Sequence, residues 1–261
     1  MKQKYRPKPN FLIIGAAKAG TSSLASLLAA HPEAGIALGE QPNFFSWDDK
    51  YKFGWKRYLR LFEHCEGKKA IGDASTSYSR LRYHPQTIER IREHIRQPKI
   101  IYMVRHPLDR MISAYVDHMN SPKPPDYTSI NDAVKKQPMI VDSSRYWEVF
   151  DAYRQAFGDA QVKVLWYEEY VSDTAKVFRD VCQFLQINDA APPKSGAGIV
   201  DPKADAEQAQ STVTSKGIQL TPTWEADTRK WVIDQIKADN CRLLQHFGKP
   251  LDHWGDLFQN V

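Results

Sequence analysis

The stretch from Asn10 to Leu28 constrains this chain more than any other. An apolar run, Phe11-Leu12-Ile13-Ile14, breaks into Gly15-Ala16-Ala17-Lys18-Ala19-Gly20-Thr21-Ser22-Ser23 and resumes with Leu24, Leu27 and Leu28. The first run is short, β-prone and uninterrupted, the pattern of a strand buried on both faces, and the leucines fall at i, i+3 and i+4, one side of a helix. Gly15 and Gly20 permit a tight turn between them, and Thr21 or Ser22 is placed to cap the helix. Such a loop aims backbone N–H groups and a helix N-terminus at one point, so it should hold an anion, most simply a phosphate. The plainer alternative is a tight strand-to-helix turn carrying a solvated lysine.

The glycines have P-loop spacing, but the lysine does not. G-x-x-x-x-G-K-S/T needs Lys at position 21, where this chain has Thr21 and carries its lysine inside the loop as Lys18. A second strand-to-helix passage runs from Lys99 through Arg105-His106-Pro107 to Tyr115, with Pro107 suited to a first helical turn. A metal-dependent P-loop kinase would end that strand in Asp to hold Mg²⁺. This one ends in Arg105, which offers an anion a guanidinium, and Ser113 lies about two turns along the next helix. Taken alone, Arg105 reads equally well as half of a surface ion pair.

Together the two passages resemble the sulfotransferases that use 3′-phosphoadenosine-5′-phosphosulfate (PAPS). That family holds the 5′-phosphate with a K-x-G-T-S/T-x-L loop and the 3′-phosphate with an R-D/N-P-x-x-R-x-x-S-x-Y segment. Lys18 to Leu24 matches the first, and Arg105 to Tyr115 the second, with His106 where Asp or Asn is usual. The resemblance runs from about Pro9 towards the C-terminus, thins after Glu169, and is nearest the glycan-modifying, heparan sulfate branch. It implies an α/β fold of P-loop type, a single domain over 1–261 with a central parallel sheet flanked by helices and the site at the strands' carboxyl ends. It also implies PAPS as cosubstrate, no metal, and transfer to a hydroxyl or amine of a carbohydrate or glycolipid. Lys18 would neutralise the leaving phosphate, the N–H groups from Ala19 and Gly20 through Thr21, Ser22 and Ser23 would cradle it, and Arg105 with Ser113 would take the 3′-phosphate.

Gly39-Glu40-Gln41-Pro42-Asn43-Phe44-Phe45 resembles the family's K-E-x-x-F/Y-F, whose glutamate is the general base. Glu40 is matched to it, with Gly39 in place of the lysine, and the two aromatics are expected to desolvate it. Without the resemblance Glu40 reads as an exposed loop residue. Asp73-Ala74-Ser75-Thr76-Ser77-Tyr78 stands where relatives have E-K-S/T-x-x-Y, so Ala74 replaces a lysine near the reacting groups. Asp73 is expected to orient the acceptor, act as a second base, or cap a helix.

The rest of the chain is expected to support this site. Tyr51–His64 reads as one core-facing helix, 120–142 as an excursion over the mouth that sets acceptor specificity, and Tyr167-Glu168-Glu169-Tyr170 as a structural strand ending. The polar segment 189–220 reads as a lid, with Ser215-Lys216-Gly217 resembling the family's K-G-R/K element and Lys216 and Gly217 closing on the 3′-phosphate. Residues 1–8 form a basic tail without the apolar core of a signal peptide, and no apolar run is long enough to span a bilayer. Golgi relatives carry such an anchor, so the chain is expected to be a soluble bacterial form or a catalytic domain cut from its stem. Three widely spaced cysteines point to reduced thiols in the cytoplasm. A formal charge of +5 suits anionic ligands but is too modest to argue for nucleic acid. Beside the sulfotransferase stand two rivals, the kinase and a non-catalytic nucleotide- or glycan-binding module that would have no use for Glu40.

Overall fold

The structure, a computed structural model, describes residues 7–189, 220, 222–255, 257 and 258. Five strands, β1 (Phe11–Gly15), β2 (Ala34–Ile36), β3 (Ala70–Ala74), β4 (Lys99–Val104) and β5 (Val162–Trp166), form one sheet in the order β2-β3-β1-β4-β5. Every pairing is parallel, with Phe11 opposite Gly72 on one side and Lys99 on the other. Phe11 to Ile14 and Ile100 to Val104 are completely buried, as the uninterrupted apolar runs require of strands covered on both faces. This confirms the expected α/β architecture.

The helices are α1 (Thr21–Ala29), α2 (Asp48–Lys52), α3 (Trp55–Tyr58), α4 (Thr87–His94), α5 (Pro107–Met119), α6 (Ile130–Lys136), α7 (Met139–Asp142), α8 (Tyr146–Phe157), α9 (Tyr167–Ser172), α10 (Thr174–Leu185) and α11 (Ala226–His246). Among the described residues no helix is long and apolar enough to cross a membrane.

Four expectations need correction. The single helix over Tyr51–His64 is broken at Gly54, whose φ of 82° leaves the helical region, and 59–65 continues as 3₁₀-helix. No strand was expected at β2, because a three-residue edge strand carries too few side chains to show a period. The 120–142 segment is not wholly an excursion: Ile130, Ala133, Val134, Ile140 and Val141 enter the core, and Asn131 bonds both Thr223 O and Glu225 N ahead of α11. Finally, Tyr167 begins α9 instead of merely ending a strand.

Candidate active site

A cavity of about 560 Å³ opens at the carboxyl ends of the central strands, within the roughly 300–1,000 Å³ usual for small-molecule sites. One wall comes from the β1–α1 loop and from β4 with α5; the other comes from residues 40–47 and the turn after β3.

The loop makes its turn with Gly15 at φ 138°, Lys18 at φ 69° and Gly20 at φ 85°. A lysine in the left-handed region is uncommon, and such residues gather at functional sites. Gly20 itself takes the N-cap of α1 and no side chain caps it, so Thr21 and Ser22 are not the caps expected but lie inside the helix. Lys18, Gly20, Thr21 and Ser22 line the cavity. Ala19 is buried away from it, and Ser23 Oγ is spent on Tyr170 Oη at 2.9 Å. Lys18 Nζ reaches Asp117 Oδ1 of α5 at 2.8 Å.

Arg105 forms the tip of β4 and is only 5% exposed. Its guanidinium lies over the Tyr167 ring, 4.5 Å from the centroid, and Nη1 donates to Lys18 O at 3.1 Å. Tyr146 Oη donates to Arg105 O at 2.8 Å, which fixes the backbone beneath. His106 does what an Asp or Asn would do there: its Nδ1 accepts from Asp109 N at 3.3 Å and caps α5. Ser113, buried on α5, faces the same cavity. Arg110, the motif's second arginine, is fully buried and acts as a strut, bonding Ser144 Oγ at 2.7 Å, Ile140 O, and Ala17 O of the loop at 3.5 Å.

On the opposite wall Glu40 is exposed and lines the cavity. The expected desolvation by Phe44 and Phe45 does not occur. Both rings turn into the core, Phe44 stacking on Tyr58 at 4.2 Å. The register also differs from the family's pattern, whose glutamate stands three residues before the first aromatic. Gln41 holds that position here, with Glu40 one residue earlier. Gln41, at φ 45°, bends its side chain onto the other wall segment, where Oε1 accepts from Thr76 N at 3.1 Å and Thr76 Oγ1 at 2.7 Å.

Asp73 is neither at the cavity surface nor a helix cap. It is completely buried and accepts from Tyr58 Oη at 2.7 Å, Tyr78 Oη at 2.6 Å and Ser75 Oγ at 2.6 Å. Burial raises its pKa, against which the three hydroxyls work in the other direction. Its position at the end of β3 makes it the anchor of this second wall, since Ser75 Oγ in turn accepts from Asn43 N at 2.9 Å. Ala74 borders a smaller recess of about 240 Å³ that shares Glu40, Gln41 and Thr76 with the main cavity.

Sequence reasoning missed Gln41, Asn43, Trp47, Arg80, Asp117, Asn120 and Tyr167, all of which line the cavity. Asp117 was legible in principle, four residues beyond Ser113 on one helix face. Lys216 and Gly217 lie outside the described residues, as do most of 189–220 and the first six residues of the tail.

Fold and cavity together define a parallel α/β protein with a glycine-rich loop running into a helix N-terminus at the strand tips and a buried arginine at the tip of the neighbouring strand. The model of the sulfotransferase domain matches residues 8–200, and the chain belongs to that family of enzymes. It is 28% identical over 186 residues to heparan sulfate glucosamine 3-O-sulfotransferase 3B1 of Mus musculus, an alignment covering 68% of this chain and 46% of that protein. The chain thus spans less than half the length of the curated relatives it matches. Among solved structures, a sulfotransferase from Alicyclobacillus acidocaldarius is 27% identical with a TM-score of 0.74, over 95% of this chain and 99% of that one. Mouse sulfotransferase SULT7A1 complexed with PAP shares the fold, with a TM-score of 0.55 at 15% identity over 93% of this chain and 90% of that one.

Proposed function

We propose that this sulfotransferase moves a sulfuryl group from PAPS to a hydroxyl, or amine, of a carbohydrate-type acceptor. The observation that carries the reading is the convergence of Lys18, Arg105 and Ser113 on one cavity that also holds Glu40 on its far side. The donor set suits an anionic nucleotide: a guanidinium held rigidly by Tyr167 and Lys18 O, a lysine, a hydroxyl and a helix N-terminus. A PAP-bound neighbour and the heparan sulfate relatives support the donor and the acceptor class respectively.

In this reading Arg105 and Ser113 grip the 3′-phosphate, and Thr21, Ser22 and the loop N–H groups take the 5′-phosphate. Glu40 receives the acceptor's proton as the acceptor oxygen bonds to sulfur. The bond from sulfur to the phosphate oxygen breaks, and Lys18 neutralises the charge left on 3′,5′-ADP. Lys18 has to exchange Asp117 for that phosphate. Of the cavity's two carboxylates, Asp117 lies on the same side as Lys18 and Glu40 on the opposite wall, which supports Glu40 as the base in this reading. The chain is taken as one catalytic unit working in the cytoplasm, a placement supported by three cysteines free of disulfides.

Thermal shift separates the rivals. A sulfotransferase is stabilised by 3′,5′-ADP without metal, and a kinase by Mg-ATP; stabilisation by Mg-ATP alone refutes the proposal.

A further inference from the structure

Arg80 stands apart from the other arginines around the site. Arg82 forms a two-pronged pair with Glu148, Arg90 pairs with Asp48, Arg105 is held by Lys18 O and Tyr167, and Arg110 by Ser144 and Ile140. Arg80 lines the main cavity, yet its Nε is buried with no hydrogen-bond partner, and among the described residues its guanidinium meets no carboxylate at ion-pair distance. Burial opposes its charge, lowering its pKa from the ordinary value. A withdrawn, uncompensated guanidinium costs stability, and such groups persist where an anionic ligand completes them.

Its location identifies the ligand. By sequence Arg80 belongs to the acceptor-side wall, three residues beyond Ser77. Electrostatically it reaches across to the donor wall, where Asp117 holds Lys18, and His118 of α5 feels both Arg80 and Lys18. It thus lines the cavity from the wall that carries Thr76 and Ser77 and lies within electrostatic reach of Asp117 and His118 on α5. Lys18 and Arg105 are given the two phosphates in the reading above, and Arg80 is a further cation that lines the cavity.

We propose that Arg80 is a sulfuryl-binding residue, its guanidinium bonding the non-bridging oxygens of the terminal sulfuryl group of PAPS and holding that group as it passes to the acceptor. This rests on the PAPS reading above. A planar fork of donors suits a group whose three oxygens share charge.

The test measures Kd for PAPS and for 3′,5′-ADP, which lacks the sulfuryl group, by calorimetry without acceptor, for wild type, Arg80→Met and Arg80→Lys. The expected result is a tenfold or greater loss of PAPS affinity in Arg80→Met, 3′,5′-ADP binding within twofold of wild type, and partial recovery in Arg80→Lys. If wild type binds neither nucleotide, the PAPS reading itself fails. If wild type binds both and Arg80→Met binds both equally well, only the role of Arg80 is overturned, and a rise confined to the acceptor KM would move it to the acceptor. Equal loss for both nucleotides with a lowered Tm in both variants would make it a structural residue and also overturns the proposal.

Discussion

Arg105→Ala tests the proposed donor site, because this side chain has two separable tasks. One is to face the cavity with a charge; the other is to brace the loop, through Nη1 on Lys18 O at 3.1 Å and the stack on Tyr167 at 4.5 Å. Losing a charge-assisted hydrogen bond to the 3′-phosphate costs about 1.5–3 kcal/mol, or roughly 10- to 150-fold in affinity. Losing the brace costs about 1 kcal/mol more and is felt by any ligand of the loop. Titrating wild type and variant with 3′,5′-ADP and with 5′-AMP at one salt concentration separates the two. The brace term is common to both nucleotides and cancels in the ratio, so the variant should lose about 10- to 150-fold more affinity for 3′,5′-ADP than for 5′-AMP. Equal losses for the two nucleotides would show that Arg105 serves the loop and not the 3′-phosphate.

Glu40→Gln should lower turnover by about 10²–10⁴ and leave 3′,5′-ADP binding within twofold, measured by sulfate transfer and calorimetry; full activity would remove Glu40 as base. Asp73→Ala strands three buried hydroxyls and should destabilise the fold by about 3–5 kcal/mol in urea denaturation, so a loss under 1 kcal/mol would contradict the anchoring role. Asp239, whose carboxylate accepts from Trp147 N and Glu148 N at 2.9 Å, has its pKa raised by burial to about 6. The folded state therefore binds this proton more tightly than the unfolded chain, and stability is lost as pH rises from about 4 to about 6, by roughly 2–3 kcal/mol. The Tm of Asp239→Asn relative to wild type should rise by several degrees between pH 4.5 and 7.5; a difference independent of pH would exclude the linkage.

The strands and the glycine-rich loop were legible because their signals are local. A buried parallel strand needs a continuous apolar run, and a phosphate loop needs glycine at fixed spacing, so Phe11 to Gly20 and Lys99 to Arg105 announced themselves. The opposite wall of the cavity was not legible, because its residues are fixed by contacts across the chain. Asp73 carries a charge and ends a strand, which suggests chemistry, yet Tyr58 and Tyr78 enclose it, and nothing near it in sequence reveals Tyr58. Gln41 and Asn43 adopt positive φ, which places neighbouring side chains off any simple period, and Phe44 and Phe45 follow the core instead of Glu40. Arg80 reads as one surface arginine among many until its surroundings are known.

The order β2-β3-β1-β4-β5 has a consequence for how such a protein can change. The strand that feeds the glycine-rich loop lies in the middle, with β4 and Arg105 on one flank and β3 on the other. Novelty can thus be confined to one flank. Residues 38–47 and 74–79 can be rewritten or exchanged for those of another chain without disturbing the Arg105–Lys18–Tyr167 assembly, provided that Glu40 is kept and Asp73 and its hydroxyls hold the graft seated. Chimeras joined at the tips of β2 and β3 should therefore inherit the acceptor preference of the grafted side.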